Sequence, residues 1–286
     1  NERKAAASRS DDLPSAGRLP WASLLTVASA ERNESIDGRP RADLNGPNLS
    51  ELQQRLGAVL DSKWVEFILL YRQYGPYLGS KAPTSGASVA VDLNKPARFR
   101  IVSPLDLIGA KVLIPSAPGA DEKTATVVPS PLTTEPAAMR DDLAKLLDHV
   151  AVAPGPVLPG RVNLNLAPRA VLLAVPGMES AIVEKILASR GHQTSGDDAA
   201  RRHAAWPLAE GLVDLPRMKA LLPYLTTGGD VHRAQIVGFF DAGGRSVRAE
   251  VVVDATVRPA RQVYYKDLRV FGRAYALQRL GAEPGE

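Results

Sequence analysis

The 286-residue sequence contains no cysteine. Disulfides, thiolate zinc sites and thiol nucleophiles are therefore excluded, while the redox compartment is left open. Aromatic residues make up only 5% of the chain, against 23 glycines and 23 prolines. A sparse aromatic core with so many breakers implies long turn-rich connections between short elements. No run of 18 or more apolar residues occurs, so the sequence as given has neither a membrane-spanning segment nor a secretory apolar region. It begins at Asn1 in a polar stretch, which reads as a fragment whose natural N-terminus and anchor lie upstream. Charge of one sign is also lacking: 35 basic residues face 31 acidic ones. That balance does not suit nucleic acid unless the excess gathers on one face. Part of it does gather, because Arg245 to Arg279 holds eight basic residues and three acidic ones.

The catalytic signatures are missing as well. There is no Gly-x-Ser-x-Gly elbow, no P-loop and no dinucleotide fingerprint. The four histidines, His149, His192, His203 and His232, never recur at the i+3 or i+4 spacing of a helical zinc pair. The reading is of a protein that is not an enzyme.

An internal repeat is present. Arg41-Ala42-Asp43-Leu44-Asn45 returns as Arg161-Val162-Asn163-Leu164-Asn165. After the first copy, Leu49, Leu52, Leu56, Val59 and Leu60 keep a helical spacing, and Asp61 is placed to cap a second helix with Trp64, Phe67, Ile68 and Tyr71 on its face. After the second copy, Pro168 opens a helix carrying Val171, Leu172 and Val175. Pro176-Gly177 forces a turn, and Ile182, Val183, Ile186 and Leu187 mark the next helix. The distance from Arg41 to Tyr71-Arg72 is close to that from Arg161 to Ser189-Arg190. In the second copy Val162 and Leu164 point to one side, and Asn163 and Asn165 to the other, where their amides can cap the helix or tie down turn backbone. Gly177 supplies the positive φ such a turn needs.

Between the copies, Arg98 to Val102, Lys111 to Ile114 and Thr124 to Val128 read as short strands, and Glu135 to Val150 as a helix facing inward through Met139, Leu143, Leu146, Leu147 and Val150. Leu208 to Leu225 reads as two short helices around Leu215-Pro216. The C-terminal part reads as β: Gln235 to Phe240 and Ser246 to Asp254 flank Asp241-Ala242-Gly243-Gly244 as a hairpin. Its second strand alternates, with Val247, Ala249, Val251 and Val253 expected inward and Arg248 and Glu250 outward. Gln262 to Tyr265 and Leu268 to Phe271 read as a further strand or pair. The fold class is α+β, with two helix-hairpin-helix-like modules and small antiparallel sheets. Four segments follow: a flexible 1–20, a first module with a β insertion at 21–160, a second module at 161–230, and a β region at 231–286.

The segment Arg161 to Arg190, followed by Leu221 to Thr227 and the strand-rich Val231 to Asp254, resembles the minor pseudopilin K family of type II secretion systems (general secretion pathway protein K). The likeness is clear over about 95 residues and weaker over 21–75. It implies a structural subunit of the pseudopilus tip, in complex with minor pseudopilins of the I and J types. That complex would lie on the periplasmic face of the inner membrane, held there by an upstream apolar helix, and would support protein export. Asn163, Asn165, Pro176 and Gly177 then form a structural hairpin turn. Some K-family members bind calcium, which makes Asp197 and Asp198, with Asp141 and Asp142, the candidate oxygen donors. Neither pair has EF-hand spacing, so no cofactor is expected apart from that calcium. The alternative is a DNA-binding helix-hairpin-helix protein, whose Pro-Gly-x-Gly turn aims backbone amides at a phosphate. Here Glu179 occupies the second glycine position, and Arg161 to Asp230 holds eight basic and seven acidic residues.

Overall fold

The computed structural model describes residue 26 and residues 28–84, 89–116, 124–190, 199–240 and 245–274. They form two compact units. The larger is drawn from Asn33–Pro156 and Val162–Thr227, the smaller from Leu25–Arg32, Val157–Arg161 and Gly228–Glu286. Seven α-helices and several small sheets among the described residues make the chain α+β. The segments 21–160 and 161–230 both contribute to the larger unit, and each also gives a short piece to the smaller one.

In the smaller unit, β1 (Ala30–Arg32) is an antiparallel partner of a strand at Val157–Pro159. In the larger unit, β2 (Ala42–Asp43) leads into α1 (Leu49–Gly57) and α2 (Ser62–Tyr74). Asn48 caps α1, its side chain accepting from the amides of Ser50 and Glu51 at 3.0 and 3.1 Å. Asp61 stands at the N-cap of α2 but makes no capping bond; its carboxylate meets Lys145 at 2.9 Å instead. The α2 helix is also more deeply placed than a one-faced reading allows. Nine consecutive or near-consecutive residues, from Trp64 to Gln73, are buried around its whole circumference. A helix apolar all round belongs at the centre of a core.

Residues 98–102 run extended but form no strand. The amides of Arg98 and Phe99 both donate to the Arg72 carbonyl, at 2.8 and 3.0 Å, so this segment is fastened to the end of α2 rather than paired in a sheet. A single turn of 3-10 helix at Pro104–Leu107 follows, then the antiparallel pair β3 (Lys111–Ile114) and β4 (Thr126–Pro129). Next comes α3 (Pro136–His149), which buries Met139, Leu143 and Leu146. The strand β5 (Val150–Ala151) closes the first copy by lying parallel to β2. β6 is the Val157–Pro159 partner of β1.

The second copy repeats this plan on a shorter length. Strand β7 (Val162–Asn163) precedes α4 (Arg169–Leu173) and α5 (Ser180–Arg190), with Pro168 one position ahead of α4 at its N-cap. Then come a 3-10 turn at Ala199–Arg202, α6 (Trp206–Ala209) and α7 (Leu215–Leu221). Strand β8 (Leu225–Thr226) ends the copy, parallel to β7. Asp214 caps α7 through the Arg217 amide at 2.8 Å. One continuous apolar core joins both copies, from Leu44, Leu56, Phe67 and Leu105 to Leu164, Leu172, Val183, Trp206 and Met218.

The smaller unit also holds a three-stranded antiparallel sheet, ordered β11 (Arg261–Asp267), β10 (Ser246–Asp254), β9 (Val231–Phe239). Residues 268–271 do not extend it; Arg269–Phe271 is a 3-10 turn. The facing of β10 is the reverse of the one its alternation suggested. Val247 is 52% exposed, while Val252 and Asp254 are buried. The covered face tolerates charge because its charges are matched: Arg233 meets Glu250 at 3.0 Å and Arg261 meets Asp254 at 3.0 Å. Residues 1–20, most of Trp21 to Val27, and Asp241 to Gly244 lie outside the described residues.

Candidate functional site

The repeated pentapeptides occupy equivalent settings. In the first copy the Asn45 amide donates to the Asp43 carboxylate at 2.9 Å; in the second the Asn165 amide donates to Asn163 Oδ1 at 2.9 Å. Each is a short side-chain-to-backbone turn of the kind Asp and Asn make two residues ahead of themselves. The Leu44 amide then reaches the Ala151 carbonyl, as the Leu164 amide reaches that of Thr226. Beyond this, both second asparagines become cross-links. Asn45 accepts from the Ile101 amide and donates to the Ile101 carbonyl, both at 2.9 Å. Asn165 donates to the Arg201 carbonyl at 3.1 Å and accepts from Trp206 Nε1 at 3.0 Å. Asn163 also donates to the Thr227 carbonyl at 3.1 Å. Neither Asn163 nor Asn165 caps α4.

The arginine that ends the second helix completes each copy. Arg72 donates to the carbonyls of Leu44 and Gly46, and Arg190 to those of Leu164 and Ala167. Burial lowers the pKa of both guanidiniums from the ordinary arginine value, yet each stays charged and is solvated by backbone oxygen. The aligned arginines of the two repeats were the sequence signal for this role, which spacing alone does not reveal.

The turn between α4 and α5 centres on Pro176 and Gly177, with Gly177 at φ +78° and the Met178 amide donating to the Val175 carbonyl at 3.0 Å. Arg217 of α7 lies over it. Its guanidinium donates to the Gly177 carbonyl at 3.1 Å and pairs with Glu179. A carboxylate and a carbonyl therefore face outward at this turn, with an internal arginine already between them. A phosphate approaching here meets a neutral ion pair, not the uncommitted positive charge and open amides that a phosphate-binding turn provides.

Asp197, Asp198 and His192 lie outside the described residues, and among the described residues no group of three potential metal ligands occurs. The Asp142 carboxyl is raised from the usual carboxylate range, first by burial and then by its neighbour Asp141. Burial pushes His203 down to about 4, against a smaller opposing pull from Asp148. His149 ends α3 and His232 is exposed on β9. A cleft of about 460 Å³ opens among Tyr71, Tyr77, Asp106, Lys111 and Lys219. Its carboxylate is committed on both oxygens, to Lys219 at 3.1 Å and to the Ser103 amide at 2.9 Å.

Among the described residues, an exposed sheet face lies in the smaller unit. Register places Ile236, Ala249 and Asp267 abreast, and Ala234, Val251 and Tyr265 abreast, so one face of the sheet carries Ala234, Ile236, Val247, Ala249, Val251, Val253 and Tyr265, with His232 and Asp267 at its ends. Ile236, Val247 and Tyr265 are 57%, 52% and 57% exposed. Contiguous exposed apolar surface of this kind marks interaction sites on soluble domains. Among the described residues no helix is long and apolar enough to cross a membrane. No protein-family model, characterised protein or solved structure matches the chain.

Proposed function

We propose that this chain is a structural component of a type II secretion pseudopilus tip, the soluble region of a K-type minor pseudopilin that acts by surface contact rather than by catalysis. The observation that carries the reading is the open, mainly apolar face of the β9–β10–β11 sheet in the smaller unit; in the larger unit Asn165 and Arg190 of the signature serve internal packing. In this reading the two repeated modules are helix-hairpin-helix scaffolds, and the sheet presents the contact surface to minor pseudopilins of the I and J types. The assembly stands on the periplasmic face of the inner membrane, and the family resemblance adds an anchoring helix upstream.

Co-expression with the cognate I-type and J-type proteins tests this. A ternary complex is expected, lost on Ile236→Asp and Val247→Asp together with the fold unchanged by circular dichroism. No complex where I and J pair with each other overturns the proposal. The competing DNA-binding reading is disfavoured by the Arg217–Glu179 pair over the turn. A mobility shift with micromolar protein at low salt would restore it.

A further inference from the structure

Each wall of the cleft in the larger unit is fastened by hydrogen bonds. One wall leaves α2 at Gly75, whose φ is +79°, and runs through Pro76, Tyr77 and Leu78; the Tyr77 amide donates to the Lys111 carbonyl of β3 at 2.7 Å. A second wall is the turn from Asp106 to Ala110. It is held by the Gly109 amide on the Leu132 carbonyl at 2.8 Å, and by Asp106 accepting from the amides of Val102 and Ser103 at 3.2 and 2.9 Å. Lys219 of α7 joins this wall by pairing with Asp106 at 3.1 Å. The volume of about 460 Å³ lies in the range that holds small ligands.

Two polar groups lining the cleft are unused by the fold. Tyr71 is 5% exposed, yet among the described residues its hydroxyl has no hydrogen-bond partner. A polar group this deep ordinarily has one. Burial first, and then the Asp106 carboxylate, raise its pKa above the ordinary tyrosine value, so at neutral pH the phenol keeps its proton and can donate. The second group is the Lys111 ammonium, which forms no ion pair among the described residues. The other two charged side chains in the lining, Asp106 and Lys219, neutralise each other, so the cleft carries one open positive charge. The rest of the lining includes the apolar side chains of Pro76, Leu78 and Ile108. Leu78 is 95% exposed, which leaves a ligand apolar surface to cover.

We infer that the cleft binds a small organic monocarboxylate with an aliphatic side chain, its carboxylate on the Lys111 ammonium and the Tyr71 hydroxyl and its apolar part on Pro76, Leu78 and Ile108. A carboxylate accepts from both donors and matches the single open charge. Phosphate, with more charge and no apolar part, would leave the apolar lining uncovered and its own second charge unmatched. The inference does not rest on the pseudopilin reading, because the cleft belongs to the larger unit and the proposed contact face to the smaller.

The test is a magnetic-resonance titration of the whole isotope-labelled chain with N-acetyl-leucine, followed at the backbone amides of Gly79, Gly109 and Ala110, which line the cleft. Saturable shifts at these amides are expected, with a Kd on the order of 1 mM for a ligand of this size. N-acetyl-leucinamide, which has the same side chain and no charge, should bind about tenfold more weakly. Lys111→Met should weaken N-acetyl-leucine about tenfold and Tyr71→Phe about fivefold. Both variants should keep the wild-type melting temperature, since neither group is bonded within the fold. No saturable shift at these amides, equal binding of the leucinamide, phosphate binding as tightly as N-acetyl-leucine, or unchanged affinity in either variant each overturn the inference. So does a lower melting temperature for Tyr71→Phe, which would show the hydroxyl to be bonded internally.

Discussion

Replacing Arg190 by alanine removes both bonds that hold the end of α5 to the start of its own copy, at the carbonyls of Leu164 and Ala167. A hydrogen bond to a charged group contributes about 1.5–3 kcal/mol net, and a buried carbonyl left without its donor costs about 1–3 kcal/mol. Against that, the variant no longer buries a guanidinium whose desolvation is already felt. The balance is a loss of about 2–4 kcal/mol. Arg72→Ala should cost as much or more, because Arg72 is 5% exposed and holds Leu44 and Gly46 in the same way. Lysine recovers less than half at either site, since a single ammonium cannot span two carbonyls as a guanidinium does. Urea unfolding followed by tryptophan fluorescence reads this directly: Trp64 and Trp206 are both buried in the core of the larger unit. A loss under about 0.5 kcal/mol for either alanine variant refutes the argument that these arginines close the copies.

Three further predictions concern other parts of the chain. His203 is held at about 4 when folded, below its unfolded value of about 6.5, so folding binds fewer protons across that window. Its stabilising contribution, up to about 3 kcal/mol, is complete above pH 6.5 and is lost as pH falls toward 4; His203→Phe should flatten urea midpoints over that range, and an unchanged slope refutes the assignment. Gly177→Val should cost about 1–3 kcal/mol from the positive φ alone, because the nearest side-chain atom to a Cβ there is 3.9 Å away; a thermal melt no lower than wild type counts against it. On β10, Val252→Ala should cost about 1–2 kcal/mol and Val247→Ala less than about 0.5 kcal/mol. The opposite order in chemical denaturation would restore the facing read from alternation.

The local parts of this fold were legible because they rest on local chemistry. The 3.6-residue spacing of Leu49, Leu52 and Leu56 defines α1 without help from elsewhere. The two pentapeptides announce a repeat, and in each the residue two before the second asparagine makes the same turn. Pro176-Gly177 needs a positive φ wherever it sits. By contrast, 98–102 reads as a strand from its residue types, and only the Arg72 carbonyl, distant in sequence, makes it a fastened loop. Asp61 reads as a helix cap, and Lys145 from α3 takes its carboxylate away.

What the sequence determined by itself was the α+β class, the duplicated start of each copy, the helix spans and the hairpin of β9 and β10, all of which depend on neighbours within a few residues. Which surfaces those elements cover was set by contacts between residues far apart in the chain. Alternation along β10 is symmetric between its two faces, and only packing buries Val252 and Asp254 while leaving Val247 exposed. The same holds for α2, which is buried all round because it lies at the centre of the core, and for Arg217, whose place over the Gly177 turn depends on α7 folding back across it. Periodicity tells a strand that it has two faces; long-range packing tells it which one is left open.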